Sequence, residues 1–150
     1  MKKVIFALLA ISTMMSCKTQ KNTIPATQLT PAQSVSEQFT ETNQWELSSF
    51  KGQTPAEAGF VAKTPMLVIN KAEQKAGGNG GCNSFGAQIL IEGDNITFSN
   101  VFSTKMYCGG VPENEFFKLL QQKFQYKISG NTLELIKDDV VLLAFTLKAE

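Results

Sequence analysis

The sequence predicts an α+β domain, built mostly from antiparallel sheet with a single inserted helix. Short stretches in which apolar and polar residues alternate have the period-two pattern of half-buried strands. Turn signals only a few residues long separate many of these stretches, and such tight turns join antiparallel neighbours. One segment, residues 111–124, has apolar residues at helical spacing instead.

The N-terminal residues have the form of a bacterial lipoprotein signal. Two lysines follow Met1, roughly a dozen mainly apolar residues end at Met15, and Ser16 precedes Cys17. The apolar run is too short to span a bilayer as a helix, which takes about 20 residues. We therefore expect residues 1–16 to be removed and Cys17 to carry lipid. The alternative is an ordinary secretory signal in which Cys17 is incidental.

Residues 17–43 are predicted to be the lipidated N-terminus and a flexible tether. The stretch from residue 18 to 42 is rich in Thr, Gln, Ser and Pro and poor in apolar residues, so it buries too little surface to offset the cost of ordering. Residues 44–150 are then the folded domain. About 134 residues remain after the signal, which is enough for one core and too few for two.

The first strands are predicted between Trp45 and Ile69. Alternation at Trp45, Leu47 and Ser49 indicates a strand. Residues 52–65 are predicted to be a loop with Phe60 and Val61 directed inward. The apolar run 66–69 is consistent with a strand buried on both faces.

A polar turn is predicted over residues 71–78, followed by a glycine-rich block. The run 77–81 (Gly-Gly-Asn-Gly-Gly) is not read as a phosphate loop, because no Lys-Ser/Thr pair follows it and no helix opens there. We expect these glycines to permit a twist, a bulge or a close backbone approach in a crowded sheet.

The remaining strands are predicted as a hairpin and a meander. Residues 87–91 and 96–98 alternate around a Glu-Gly-Asp-Asn turn that suits a hairpin. After the helix, short strands near residues 126–128, 133–135 and 140–147 are separated by turns at 129–131 and 137–139.

The helix is predicted over residues 111–124. Pro112 suits its first turn, and Glu113 and Glu115 suit its positive end. Its apolar side chains are expected to face the sheet; they are Phe116, Phe117, Leu120 and Phe124. The predicted core as a whole is Trp45, Met66, Val68, Phe85, Phe98, Phe116, Leu120 and Leu133.

Two absent residue types constrain the function. The chain has no histidine, the usual general base and commonest metal ligand, and no arginine, the side chain suited to bidentate phosphate or carboxylate binding. Its acids are scattered singly, so we expect no catalytic residues, no metal site and no cofactor. The formal net charge is +1 with no basic stripe, which argues against nucleic acid as a partner.

Cys82 and Cys108 are expected to form a disulfide if Cys17 is lipidated, because an oxidising compartment favours pairing. Closing a loop of about 27 residues would stabilise the fold by roughly 3–4 kcal/mol. Two reactive thiols or half of a metal site are the alternatives.

Several blocks then match one family in order. Residues 45–47 (Trp-Glu-Leu), 80–85 (Gly-Gly-Cys-Asn-Ser-Phe), 103–108 (Ser-Thr-Lys-Met-Tyr-Cys) and the closing hairpin from residue 126 resemble the META domain family of the heat-shock-inducible HslJ proteins. The resemblance covers about residues 45–147. Lys105 stands where that family usually has arginine, and Ala87 stands where it usually has glycine.

The resemblance implies a small, partly open β-barrel with a helix packed at one mouth, similar in architecture to the lipoprotein pilotins of secretion systems. It also implies a link to envelope stress and no established catalytic residues. Its signature positions here are Gly81, Cys82, Asn83, Thr104 and Cys108, for which we expect a structural cause. A side-chain amide such as that of Asn83 can bond backbone that nearby glycines leave exposed.

Two functions are therefore expected from different classes. The first is a non-catalytic envelope lipoprotein that serves the stress response or outer-membrane integrity, held to the membrane by lipid and contacting an envelope protein. The alternative is pilotin-like binding of a hydrophobic peptide or lipid. Lys18, rather than aspartate, after the lipidated cysteine is consistent with the outer membrane, facing the periplasm. A filled interior would favour the first function, and exposed Phe or Met at the mouth would favour the second.

Overall fold

The computed structural model describes residues 43–148, so the predicted signal peptide, Cys17 and the stretch 18–42 lie outside the described residues. The described part is mainly β with one short helix. Its elements are, in chain order, β1 (Gln44–Phe50), β2 (Met66–Asn70), β3 (Lys75–Asn79), β4 (Ser84–Glu92), β5 (Asn95–Ser103), α1 (Glu113–Leu120), β6 (Lys123–Ser129), β7 (Thr132–Lys137) and β8 (Val140–Leu147). None of its helices is long and apolar enough to cross a membrane.

The eight strands pair antiparallel in sequence order, and β8 returns to pair with β1. Phe50 lies opposite Leu143 and Trp45 opposite Leu147, and the Lys148 N–H donates to the Gln44 carbonyl at 2.7 Å. The sheet therefore closes into a ring, whereas the sequence predicted a partly open one.

The seam between β5 and β6 is short. Only residues 95–97 of β5 pair with β6, at residues 123–125, although β5 continues to Ser103. Helix α1 is inserted in the chain between these two strands and contacts β5. The predicted position of one helix against a largely antiparallel sheet is thus confirmed.

The interior of the ring is filled with side chains. Its largest fully buried residues are Trp45, Phe98, Phe116, Phe124, Phe145, Leu67, Ile69, Ile96, Leu120, Leu133, Leu135 and Leu143. Phe116 on α1 packs edge-to-face on Phe60 and Phe85, with ring centroids 6.3 and 6.1 Å apart. The apolar face of the helix therefore packs against the core of the ring.

Six of the eight predicted core residues are buried, but Met66 and Val68 are not. Strand β2 alternates: Leu67 and Ile69 are fully buried, while its other face is only half-covered. The prediction that residues 66–69 are buried on both faces is wrong, because a closed ring covers only the inward face of each strand.

The prediction for the loop after β1 is half right. Phe60 is 3% exposed and packs edge-to-face on Phe50 at 5.3 Å between ring centroids. Val61 is 79% exposed, so its predicted inward direction is wrong. Of the two apolar residues, only Phe60 packs against the core.

Strand β3 occupies residues for which the sequence predicted mostly a polar turn. A Cβ on Gly78 would lie 1.9 Å from the Met66 carbonyl oxygen, and the φ of Gly78 is +149°. The backbones of β2 and β3 therefore approach more closely than any side chain would allow. This is the close approach that we expected of the glycine block.

The helix is shorter than the sequence predicted. It begins after Pro112 and ends at Leu120, and Phe124 belongs to β6, where it is still buried. The predicted hairpin between β4 and β5 and the meander of β6, β7 and β8 are confirmed in order and direction.

Candidate functional site

Four of the five signature residues line one open cleft at the end of the ring where α1 begins: Cys82, Asn83, Thr104 and Cys108. The cleft has a volume of about 310 Å³ and is called the signature cleft below. It is lined by residues 82–83 and 103–108, Val111, Glu113 and Asn114. The sequence blocks around residues 82 and 104, far apart in the chain, are thus brought together.

Asn83 is the centre of the hydrogen bonding in this cleft. Its side chain is 4% exposed, and its Oδ1 accepts from the Thr104 hydroxyl at 2.8 Å and from the Met106 N–H at 2.7 Å. Its Nδ2 donates to the Met106 carbonyl at 3.1 Å. One amide therefore holds both backbone polar groups of Met106, as the expected structural role of Asn83 requires.

Glu113 is the buried partner that the sequence analysis missed. It is the first residue of α1 and is only 9% exposed. Its Oε1 accepts from the backbone N–H groups of Cys82, at 3.2 Å, and Asn83, and its Oε2 accepts from the Asn83 Nδ2 at 2.6 Å. These donors satisfy a carboxylate that burial would otherwise destabilise.

The position of Glu113 at the start of the helix was visible in the sequence, but it indicated a different role. Glu113 was assigned only to the positive end of the helix, a position that acids favour. Its partners lie 30 and 31 residues away, and no local pattern indicates a contact over that distance.

A disulfide joins Cys82 to Cys108, with 6.1 Å between the two Cα atoms. This is the predicted pairing. It fixes the far end of the segment that Asn83 holds at Met106, so the loop from residue 104 to 108 is attached to residues 82–83 at both ends.

Gly81 and Asn79 explain the rest of the glycine block. The φ of Gly81 is +106°, and a Cβ there would lie 2.7 Å from the Phe60 ring. The Gly81 N–H donates to the Asn79 Oδ1 at 2.8 Å, and the Asn79 Nδ2 donates to the Cys82 carbonyl at 3.3 Å. The signature glycine is therefore required by both conformation and space.

The two departures from the family pattern lie at different places. Lys105 is exposed on the loop of the signature cleft. It belongs to neither of the two ion pairs found among residues 43–148, which are Lys51 with Glu115 and Lys75 with Glu73. Ala87 is buried on the inner face of β4, opposite Ala76.

The neighbouring Gly86 needs to be small. A Cβ on it would lie 2.4 Å from the ring of Phe102, whose outer surface is exposed. The aromatic ring therefore covers the glycine on the outer face of the sheet, which accounts for an exposed phenylalanine at this position.

A second cavity, of about 340 Å³, lies elsewhere, along β6. It is lined by Asp94, Gln125, Tyr126, Lys127, Ile128 and Ile136. Burial raises the pKa of the Tyr126 phenol, and the nearby Asp94 carboxylate raises it further. This cavity contains none of the predicted site residues.

The signature cleft contains one carboxylate, and that carboxylate is bonded within the protein. Glu113 is the single carboxylate among its lining residues, and three N–H donors occupy it. Within residues 43–148 no group of three or more His, Cys, Asp or Glu side chains could hold a metal ion. The cleft instead has the connections of a structural clamp between a loop, a strand end and a helix.

Comparison with solved structures shows that the fold has relatives. The solved structures similar to this chain include an NMR structure (20% identity, TM-score 0.58, covering 74% of this chain and 92% of that one). A second NMR structure, of a protein from Burkholderia xenovorans, has 19% identity and a TM-score of 0.57, covering 78% of this chain and 88% of that one.

A crystal structure of a duf4847 family protein from Bacteroides vulgatus has 16% identity and a TM-score of 0.52, covering 75% of this chain and 96% of that one. At these identities the likeness concerns the fold. No curated protein matches the chain. The sequence profile of the META domain matches residues 37–150, most of the chain, and the protein belongs to the META domain family.

Proposed function

We propose that this protein is a bacterial envelope lipoprotein whose META domain is a non-catalytic interaction module, serving the envelope stress response or outer-membrane integrity. The observation that carries the non-catalytic part is the engagement of the cleft carboxylate. Glu113 accepts from two backbone N–H groups and the Asn83 amide, so its oxygens are directed at the protein itself. A general acid or base needs its oxygen directed toward a substrate.

The filled ring supports an exterior binding surface rather than an internal one. Aromatic and aliphatic side chains occupy the space between the strands, among them Trp45, Phe98 and Phe145. A pilotin-like interior site for a lipid chain would need that space. The alternative function has one observation in its favour, because Phe102, Met106 and Tyr107 are exposed on the outside.

The proposal that the protein is a lipoprotein is supported by the sequence around Cys17 and by the disulfide of the folded domain. The disulfide between Cys82 and Cys108 supports an oxidising compartment outside the cytoplasm.

Metabolic labelling with a radioactive fatty acid, followed by membrane fractionation, tests the proposal. The wild-type chain should carry label and sediment with membranes, and Cys17→Ser should lose both. Cys82→Ser/Cys108→Ser is the matched control, since it removes two other cysteines and should keep the label. Unchanged label and sedimentation in Cys17→Ser would refute lipid attachment at that residue.

A further inference from the structure

Three apolar side chains stand out from the end of the ring that carries the signature cleft. Val61 is 79% exposed, Met106 is 61% exposed and Tyr107 is 96% exposed. Their two segments are neighbours, because a Cβ on Gly59 would lie 3.4 Å from the Gly110 carbonyl oxygen. We call Val61, Lys63, Lys105, Met106 and Tyr107 the tip.

The exposure of the tip is built into the fold. Asn83 bonds the N–H and the carbonyl of Met106, and the disulfide fixes Cys108 on the other side of Tyr107. The side chains of Met106 and Tyr107 are therefore presented by a backbone that is held at both ends. A surface organised in this way loses less conformational entropy when it binds.

The two charged side chains of the tip are lysines, and the nearest cleft carboxylate, Glu113, is buried and bonded to N–H donors. Residues 59–63 and 103–112 contain Lys63 and Lys105 and no aspartate or glutamate. Tyrosine beside lysine is the composition of segments that lie at the interface between acyl chains and headgroups, where the ring is buried and the ammonium group meets phosphate. An anionic phospholipid surface is complementary to this combination.

The small size of the tip argues against a protein partner. A stable protein interface buries about 1,200–2,000 Å² in total, which three protruding side chains on two loops do not provide. A weak membrane contact is enough if another attachment already keeps the domain near the bilayer.

The chain outside the structure supplies that attachment, if the proposed function is right. Residues 18–42 separate Cys17 from the ring, and about 25 residues reach at most about 85 Å when fully extended. Strand β1 begins at the end of the ring that carries the turn between β2 and β3, and it runs toward the end that carries the tip. The nine-residue strand β5 spans only about 30 Å. The lipid and the tip can therefore reach one bilayer together.

We propose that the tip is a second membrane contact, in which Val61, Met106 and Tyr107 enter the interfacial layer of an anionic phospholipid bilayer. Lys63 and Lys105 bind its phosphate groups. This inference rests on the proposed lipid anchor at Cys17 and extends it from a tether to an oriented domain, with the signature cleft facing the membrane.

The test uses the lipidated protein on phosphatidylglycerol vesicles that contain lipids brominated near the headgroup end of the acyl chains. Tyr107→Trp places a fluorescent reporter in the tip, and Asn131→Trp places one in the exposed turn between β6 and β7 as a matched control. Trp45, 1% exposed in the core, gives the same background in both. We expect at least twofold stronger bromine quenching for Tyr107→Trp.

Equal quenching of the two variants on vesicles that carry the protein would overturn the tip contact. In a second arm, Lys63→Glu/Lys105→Glu in the Tyr107→Trp background should bring quenching down to the level of Asn131→Trp. Undiminished quenching there would refute the role of the two lysines. Cosedimentation separates the two proposals: failure of the lipidated chain to bind vesicles at all contradicts the anchor, whereas binding without preferential quenching contradicts only the tip.

Discussion

Replacing Asn83 by alanine tests whether the signature cleft is a structural clamp. The change leaves Glu113 Oε2, on a side chain only 9% exposed, without its 2.6 Å donor. A hydrogen bond to a charged group contributes about 1.5–3 kcal/mol. The bonds to Thr104 and Met106 lie at exposed residues where water can substitute, so they add about 1 kcal/mol together. We expect a total loss of about 2.5–4 kcal/mol.

Guanidinium titration of the oxidised protein, followed by Trp45 fluorescence, measures this loss as a lower midpoint at unchanged slope. Asn114→Ala is the matched control, because Asn114 lines the same cleft but is exposed. A surface change of that kind should alter the free energy of unfolding by no more than about 0.5 kcal/mol. If Asn83→Ala also stayed within that range, the clamp would not be contributing to stability.

Asn83→Asp separates hydrogen bonding from shape. The variant keeps an oxygen to accept from Thr104 and Met106, but it places a carboxylate oxygen where the Asn83 Nδ2 now donates to Glu113. Two like charges at that distance disfavour each other, so the introduced carboxyl should hold its proton to higher pH in the folded state than in the unfolded state. Stability relative to the wild type should therefore be lowest at neutral pH and recover as the pH falls below the range where carboxyls ionise. A pH-independent difference would refute the proposed contact between the two side chains.

Three further predictions concern the ring. Gly78→Ala should prevent folding or lower the free energy of unfolding by several kcal/mol, because its Cβ would lie 1.9 Å from the Met66 carbonyl oxygen. Gly93→Ala, at φ +56° with open space around it, should cost only about 1–2 kcal/mol. Circular dichroism and the denaturant midpoints of the two variants test this difference. Phe116→Ala should cost about 3–5 kcal/mol because the ring is fully buried between Phe60 and Phe85, and an unmoved midpoint would mean that the helix does not pack as described. Because the pKa of Tyr126 is raised in the folded protein, the unfolded chain loses the phenolic proton at lower pH, and the free energy of unfolding should fall as the pH rises above about 10. Tyr126→Phe should make that fall less steep in alkaline titrations. An identical dependence of stability on alkaline pH in both proteins would contradict this.

The strands with a clear period of two were predictable from the sequence. In β6, β7 and β8 the buried residues alternate with exposed or half-buried ones, and short turns separate the strands, so local pattern and final structure agree. Strand β3 was not predictable in this way, because its sequence, Lys-Ala-Gly-Gly-Asn, lacks the β-branched and aromatic residues that indicate strands. It is a strand because its neighbours β2 and β4 supply hydrogen-bonding partners on both sides.

The direction of individual side chains was harder to predict than the elements. In β2, four consecutive apolar residues gave no alternation from which to choose a face. The predicted core included Met66 and Val68 but not Leu67 and Ile69, which are the two fully buried residues of the strand. Which face of the strand is inward depends on ring closure, which local sequence does not encode.

The candidate site was predictable in part. Asn83, Thr104 and the two cysteines stood out as signature positions, and a structural role for the Asn83 amide was expected from its chemistry. The hydrogen bonds of Glu113 could not be predicted from the sequence, because helix α1 brings its carboxylate to residues 82–83 from a distant part of the chain.

The pairing of β1 with β8 has a consequence for biogenesis. The first and last strands of the domain pair with each other, so a chain still being synthesised has two unpaired strand edges until Leu147 has emerged. Closure over such a sequence separation is also entropically slow compared with the hairpins. The final step of folding therefore belongs to the C-terminal strand. Until that step occurs, the nascent domain presents strand edges to which a chaperone can bind or on which a second chain can aggregate.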